Sequence, residues 1–159
     1  MLILAIDPGN IESAYVLMDE HYKPIQFGKT GNENMFEIIE ETMPDIVVIE
    51  MVASYGMAVG ESVFETVFWI GRFYEATLRE WIKCARVYRK DVKMNLCGQT
   101  RAKDSNIRQA LIDRFAKHDF KNGKGTKQNQ DWFYGFKADI WQSYAVGVTY
   151  IDSELEKCI

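Results

Sequence analysis

The chain has 159 residues, of which 47% are hydrophobic and 26% are charged. This length and composition predict one domain, residues 1–159, with a core of its own, and no apolar run approaches the roughly 20 residues that span a bilayer. The N-terminus lacks the basic segment and cleavage site of a signal peptide, so we expect a cytoplasmic protein. Three widely spaced cysteines without a CxxC pair argue against a disulfide framework and against a zinc site.

The charges are distributed unevenly along the chain. The formal net charge is −4, which taken alone argues weakly against a nucleic-acid partner. Residues 1–71, however, carry 2 Lys/Arg and 12 Asp/Glu, whereas residues 72–137 carry 16 and 7. A basic stretch of this kind attracts polyanions such as DNA or RNA. The alternative is that these charges are spread over solvated helix faces.

The first half of the chain is predicted to form strands and one short helix. Leu2–Ile6 is a continuous apolar run, typical of a strand buried on both faces, and the following Asp-Pro-Gly-Asn is a turn signal. Strand-forming residues and helical spacing predict the remaining elements, which are strands over 13–18 and 25–29, a helix over 33–42 and a strand over 46–49.

The second half is predicted to be mostly helical. Residues 61–83 have the pattern of a long helix that is apolar over a wide arc. We expect a short strand over 85–88, an irregular segment over 89–100, a helix from 104 or 105 to 115, a flexible basic loop over 116–135 and a last helix over 138–155. Strands that alternate with helices predict an α/β fold, a mixed five-stranded sheet flanked by helices.

Two acidic residues directly follow the two most apolar strands. Asp7 comes after the first strand and Glu50 after the strand over 46–49. Functional groups gather at the carboxyl ends of parallel strands, so we expect these two carboxylates to lie side by side. Like charges at that distance repel each other, and a divalent cation removes the repulsion. Either acid alone is better explained as a turn or strand-end residue, but the pair favours a metal site.

Asp139 supplies a third carboxylate near the start of the last helix, a position where an acid also stabilises the helix macrodipole. Gln142 lies one turn further along the same face. Three carboxylates without a His or Cys cluster favour Mg²⁺, with Mn²⁺ able to substitute, over zinc.

Four segments of the chain carry a family resemblance, and they are Leu4–Gly9, Val47–Glu50, Ala102–Leu111 and Asp139–Val148. In order and spacing they resemble the RuvC-type Holliday junction resolvases, and the last segment resembles especially their phage-encoded branch. The first segment alone is also similar to actin-like ATPases, which need a second phosphate loop and about twice this length. The three acidic segments in order are much more specific to the resolvases.

The resemblance implies a ribonuclease-H-like fold and a homodimer with magnesium-dependent sites that cut four-way junctions by paired phosphodiester hydrolysis. By position, Asp7, Glu50 and Asp139 match the family's first three metal-binding acids. Gln142 stands where the family has a fourth acid, and Asp131 or Asp104 is a candidate to replace it. If the chain is phage-encoded, the expected location is the host cytoplasm.

Basic and aromatic residues are the candidates for DNA contacts. Lysine and arginine bind phosphates without reading sequence, and aromatic rings stack on unpaired bases. The basic candidates are Arg101, Lys103, Lys121, Lys124 and Lys127. The aromatic candidates are Tyr55, Trp132, Phe133 and Tyr134, for which loop or core packing is the alternative. The apolar arc of the helix over 61–83 is the candidate dimer surface, with Phe64, Phe68 and Trp69 as contacts.

Two other functions remain open from the sequence. One is a broader debranching nuclease that acts on forks and flaps. The other is a non-catalytic ribonuclease-H-like module that binds DNA, which the uncharged Gln142 favours.

Overall fold

Five strands form one mixed sheet in the order β3-β2-β1-β4-β5. The computed structural model describes residues 1–158. Its strands are β1 Leu2–Asp7, β2 Glu12–Asp19, β3 Pro24–Gly31, β4 Ile46–Met51 and β5 Lys83–Tyr88. Its helices are α1 Asn34–Thr42, α2 Glu61–Arg79, α3 Arg89–Cys97, α4 Asp104–Phe115 and α5 Ile140–Lys157.

The direction of the central strands decides where the site lies. β1 runs antiparallel to β2, as the short Pro-Gly turn between them requires, but parallel to β4, which is itself parallel to β5. The carboxyl ends of β1, β4 and β5 therefore share one edge of the sheet. In this register Ile6 pairs with Ile49 and Glu50 pairs with Val87, so the residues that follow these strands become neighbours.

Alternating side chains of the same strands fill two separate cores. On β1, Ile3 and Ala5 face α5 with α3 and α4, whereas Leu4 and Ile6 face α1 and α2. All four of these side chains are fully buried. This explains the continuous apolar run of the sequence, because a central strand covered on both faces has no solvent-facing positions. The predicted α/β class with a mixed five-stranded sheet is confirmed.

Two predicted elements are wrong in extent or type. The long helix ends at Arg79 rather than at residue 83, because Trp81 adopts a left-handed backbone (φ 58°) and the chain turns into β5. Residues 89–97, predicted to be irregular, form α3. Only Val92 of α3 is buried, so the helix shows little apolar periodicity, although Gly98 ends it in the left-handed conformation typical of a helix C-terminus.

Residues 116–135, predicted to be a flexible basic loop, form a series of tight turns. The Asp131 carboxylate accepts hydrogen bonds from the backbone N–H groups of Lys117, His118 and Trp132. Burial alone would raise the pKa of Asp131, but these N–H donors hold it below its usual value. Asp131 therefore anchors this segment and is already committed to it, which leaves it unsuited to replace the family's fourth acid.

Gly147 allows α5 to lie close against the sheet. A Cβ at this position would overlap the sulfur of Met18 and lie 3.1 Å from the Cβ of Ala5. We expect Gly147→Ala to lower the free energy of unfolding by about 1–2 kcal/mol through overpacking. Gly71→Ala in α2 is the control, since nothing lies within 4 Å of its added Cβ, and it is expected to stabilise the protein slightly. Chemical denaturation of both variants measures the difference, and equal effects would contradict the close packing of α5.

No helix in the described part of the chain combines the length and apolar character of a membrane span.

Candidate active site

The carboxyl groups of Asp7 and Glu50 meet at the carboxyl edge of the sheet. Asp7 ends β1, Glu50 is the next-to-last residue of β4, and the two side chains are within hydrogen-bonding reach of each other. Glu50 is only 6% exposed. The parallel register of β1 and β4 thus brings together two acids that are 43 positions apart in the chain, as the sequence predicted.

This pair is electrostatically unfavourable when no cation is bound. Burial is the largest cause that raises the pKa of Asp7. The neighbouring Glu50 and, to a smaller extent, Asp139 raise it further, to about 9. These effects favour the protonated form of the Asp7 carboxyl at neutral pH when no cation is bound. The cost of ionising this pair is the kind of strain that a divalent cation relieves, because the cation supplies the missing positive charge.

Asp139 lies at the N-cap of α5 and faces the same region. It contributes to the raised pKa of Asp7, which places its charge within electrostatic reach of that carboxyl. Its own carboxylate accepts a hydrogen bond from Lys29 of β3, with 2.7 Å between Nζ and Oδ2. That ion pair raises the pKa of Lys29 above its usual value.

Gln142 and Arg89 hold the carboxylate of Glu50. The Gln142 side chain is 8% exposed and donates from Nε2 to Oε1 of Glu50 at 3.1 Å. Arg89, directly after β5, donates to the same oxygen at 3.2 Å and also pairs with Asp104. Gln142 thus lies in the site, one helical turn beyond Asp139, and Asp104 belongs to its outer edge. Arg89 was not predicted as a site residue from the sequence, although it follows a strand in the same way as the two acids.

The donor set fits a hard divalent cation, although its side chains are not gathered around one. Within residues 1–158, no three His, Cys, Asp or Glu side chains converge tightly enough to hold a metal ion as they stand. Two of the carboxylates are engaged in ion pairs instead, Asp139 with Lys29 and Glu50 with Arg89. Asp7 and Glu50 with the amide oxygen of Gln142 supply the carboxylate and carbonyl oxygens that Mg²⁺ and Mn²⁺ prefer.

The predicted DNA-binding residues lie in three exposed parts of the chain. Tyr55 is 60% exposed in the loop after β4 and lines a cavity of about 360 Å³. The rest of that cavity is formed by Arg89, Lys90, Lys93 and Thr100. The three basic residues among them were not singled out from the sequence, because α3 was not predicted. Arg101 and Lys103 are exposed just before α4, and Lys121, Lys124 and Lys127 lie in the turns of 116–135.

Two aromatic residues proposed for base stacking belong to the core instead. Phe133 is fully buried against Phe136, Trp141 and Tyr144. The Trp132 ring stacks on Phe115 at 5.5 Å between centroids, and its Nε1 donates to the Tyr144 hydroxyl. Packing, the alternative reading of these residues, is therefore correct for both. Tyr134 is partly exposed.

No protein-family model and no curated protein matches this sequence. Solved structures do match. RuvC from Thermus thermophilus superposes with a TM-score of 0.72 and 12% identity, over 98% of this chain and 97% of that chain. The Fowlpox virus resolvase, in complex with its substrate Holliday junction DNA, gives 0.54 and 15%, over 98% and 99%. The yeast mitochondrial Holliday junction resolvase gives 0.58 and 13%, over 98% and 80%.

The chain therefore has the fold of the RuvC-type Holliday junction resolvases along nearly its whole length. The resemblance drawn from the sequence segments is confirmed at the level of the fold, and so is the α/β architecture. At these low identities the match establishes the fold alone. The phage-like branch stays a prediction.

Proposed function

We propose that this protein is a divalent-metal-dependent DNA endonuclease that resolves Holliday junctions by paired phosphodiester hydrolysis. The observation that carries the proposal is the buried Asp7–Glu50 pair, with Asp139 and Gln142 beside it, at the carboxyl edge of this sheet. Its support is the match to resolvase structures, among them the Thermus and Fowlpox proteins in complex with Holliday junction DNA.

Asp7, Glu50 and Asp139 would hold the metal, with Gln142 as a neutral fourth ligand. When bound, divalent cations supply a more acidic water and charge neutralisation at the phosphate and the leaving oxygen. The residues of the chain do the rest. Gln142 and Arg89 fix the orientation of Glu50, and ionisation of Asp7 would accompany binding of the cation.

Positive side chains at the rim of the site would bind the DNA backbone. Lys90, Lys93 and Arg89 line the cavity beside Tyr55, next to the predicted contacts Arg101 and Lys103. Their phosphate contacts supply affinity without reading the DNA sequence. The observed association constant for DNA is therefore expected to fall steeply as the salt concentration rises. The exposed Tyr55 ring would stack on a base left unpaired at a branch point.

A panel of synthetic substrates with Mg²⁺ tests the proposed function. A four-way junction, a fork, a flap and a linear duplex are incubated with the purified protein. The proposal predicts two symmetric nicks in the junction and little cutting of the others. Equal cutting of forks and flaps would show the broader debranching enzyme instead, and junction binding without any cutting would show a non-catalytic module.

The dimer required for paired cuts is proposed to form through α2. Phe64 and Phe68 are 63% and 61% exposed on this helix, which is unusual for two large rings on one face. Beside them, α1 and α2 enclose a groove of about 710 Å³ lined partly by Phe36, Ile39 and Val67. A two-fold contact through one apolar face would place two equivalent sites on one junction.

We expect the double variant Phe64→Glu with Phe68→Glu to be monomeric, because four buried carboxylates would repel each other across the two-fold contact. Sedimentation equilibrium is the measurement, and wild type is expected to be a dimer at micromolar concentration. Ile25→Glu on β3 is the control, since Ile25 is similarly exposed (53%) but lies outside α2. A dimeric double variant, or a monomeric wild type, would contradict the proposed interface.

A further inference from the structure

Arg108 lies on α4 beside the candidate site and has a hydrogen-bond donor that nothing satisfies. Its Nε atom is buried and finds no acceptor in the part of the chain that the structure describes. The guanidinium lies over the Trp141 ring, with Cζ 5.5 Å from the ring centroid. An arginine N–H buried without a partner is costly, and an acceptor that reaches this guanidinium from outside the protein would offset that cost.

Arg108 lines a small cavity next to the catalytic candidates. The cavity has a volume of about 170 Å³, and its polar lining consists of Arg108, Asp104, Asp139 and Gln142. Asp139 and Gln142 are the residues that α5 contributes to the site. An occupant of this cavity would therefore contact Arg108 on one side and the edge of the metal-binding set on the other.

The free guanidinium of Arg108 favours an anion in this cavity despite the two carboxylates in its wall. Asp139 is already paired with Lys29, and Asp104 is paired with Arg89, which it shares with Glu50. Arg108 is then the lining residue whose charge is not neutralised by a salt bridge of its own. A guanidinium presents its N–H groups in a planar fork that matches the oxygens of a phosphate better than it matches a single atom.

We propose that Arg108 binds a phosphate of the DNA strand in this cavity, next to the bond that is cut, and so positions that strand against Asp7 and Glu50. This inference rests on the proposed nuclease function and extends it to a substrate-contacting residue outside the metal-binding set. Arg108 is the strand-positioning cation of the site, whereas the exposed lysines supply general affinity.

A binding measurement tests the phosphate site without relying on cutting. The Arg108 Nε–H signal is observed in a ¹H–¹⁵N spectrum of the full chain and assigned by its loss in Arg108→Lys. Titration with inorganic phosphate is expected to move this signal to a saturating shift, and sodium chloride at matched ionic strength is expected to leave it in place. A signal that phosphate does not move overturns the inference.

Single-turnover cutting of a four-way junction provides the second measurement. We expect Arg108→Gln to slow the reaction on the order of 100-fold, as loss of a preorganised donor does, and Arg108→Lys to slow it less, because charge is kept. Lys83→Gln, at the opposite edge of the sheet, removes the same charge and is expected to cut at the wild-type rate. If Arg108→Gln fails to fold, Arg108→Lys decides the result.

The two measurements separate the inference from the function on which it rests. If phosphate moves the Arg108 signal but wild type cuts no DNA, the phosphate site stands and the nuclease proposal fails. If wild type cuts and Arg108→Gln cuts equally fast, the nuclease stands and the role of Arg108 is wrong. Slow cutting by Arg108→Gln without any phosphate-dependent shift assigns Arg108 to packing on Trp141 and also overturns the inference.

Discussion

Replacing Asp7 with asparagine is expected to remove junction cutting while making the metal-free protein more stable. Cutting should fall by about 10³-fold or more, because the residues of a catalytic set act as a unit. Stability should rise because asparagine carries no charge to place beside Glu50 in a buried site. An ordinary core substitution lowers both stability and activity. A gain in stability together with a loss of cutting would therefore set Asp7→Asn apart.

The pH dependence of this gain follows from the direction of the pKa shift. The pKa of Asp7 is about 9 in the folded protein against an ordinary value of 3.8, so between these values the folded state holds more protons than the unfolded chain. Stability of the metal-free wild type therefore falls as pH rises from about 4 to about 9. At pH 7 the gain from Asp7→Asn is on the order of 1–4 kcal/mol.

Urea denaturation from pH 5 to pH 9 in the presence of a chelator measures this gain. The difference between Asp7→Asn and wild type should grow with pH across that range. Asp113→Asn, which changes an exposed acid on α4, is the control and should follow the wild-type curve in both stability and cutting. An Asp7→Asn variant that is less stable than wild type at pH 8, or that still cuts, would contradict the proposed role of the pair.

Changing Gln142 to aspartate is expected to turn the neutral position into a fourth acid. Gln142 now donates a hydrogen bond to Glu50 at 3.1 Å, and the substitution replaces that donor with a second buried anion. Without divalent cations we expect a loss of about 2–4 kcal/mol of stability, from the lost bond and the new repulsion. With Mg²⁺ we expect the opposite, because a cation shared by more carboxylates binds more tightly.

Calorimetric titration with Mg²⁺ and thermal melting with and without the ion are the measurements for this variant. Gln142→Asn is the matched control, because it has the shape of aspartate without its charge. We expect Gln142→Asp to bind Mg²⁺ on the order of 10-fold more tightly than Gln142→Asn. Equal affinities of the two variants would mean that residue 142 does not face the cation.

The sequence carried enough information to predict the central fold and the pair of acids. Strands β1 and β4 are covered on both faces, so each is a run of apolar residues that ends at an acid, and the turn after Asp7 marks the end of β1. Helix α3 was missed because only Val92 is buried and most of its other residues are polar. The pattern of apolar residues therefore predicts an element whose side chains are buried along its whole length. It does not predict a helix that buries a single residue.

The ion pairs between residues far apart in the chain could not be predicted from the sequence, for a different reason. The pairing of Lys29 with Asp139 joins positions 110 residues apart, and that of Arg89 with Glu50 joins positions 39 apart. Both depend on the sheet order and on which way long side chains turn. The same holds for Arg108, whose unsatisfied donor becomes evident only when its neighbours are in place.

The central claim is that Asp7 and Glu50 form a divalent-cation site at the carboxyl edge of the sheet. Anomalous diffraction from crystals grown with millimolar Mn²⁺ tests it most directly. The account predicts a manganese peak within about 2.5 Å of carboxylate oxygens of both residues, with Asp139 turned away from Lys29 toward the ion. Manganese bound only elsewhere on the protein, with no peak beside Asp7 and Glu50, would contradict the account.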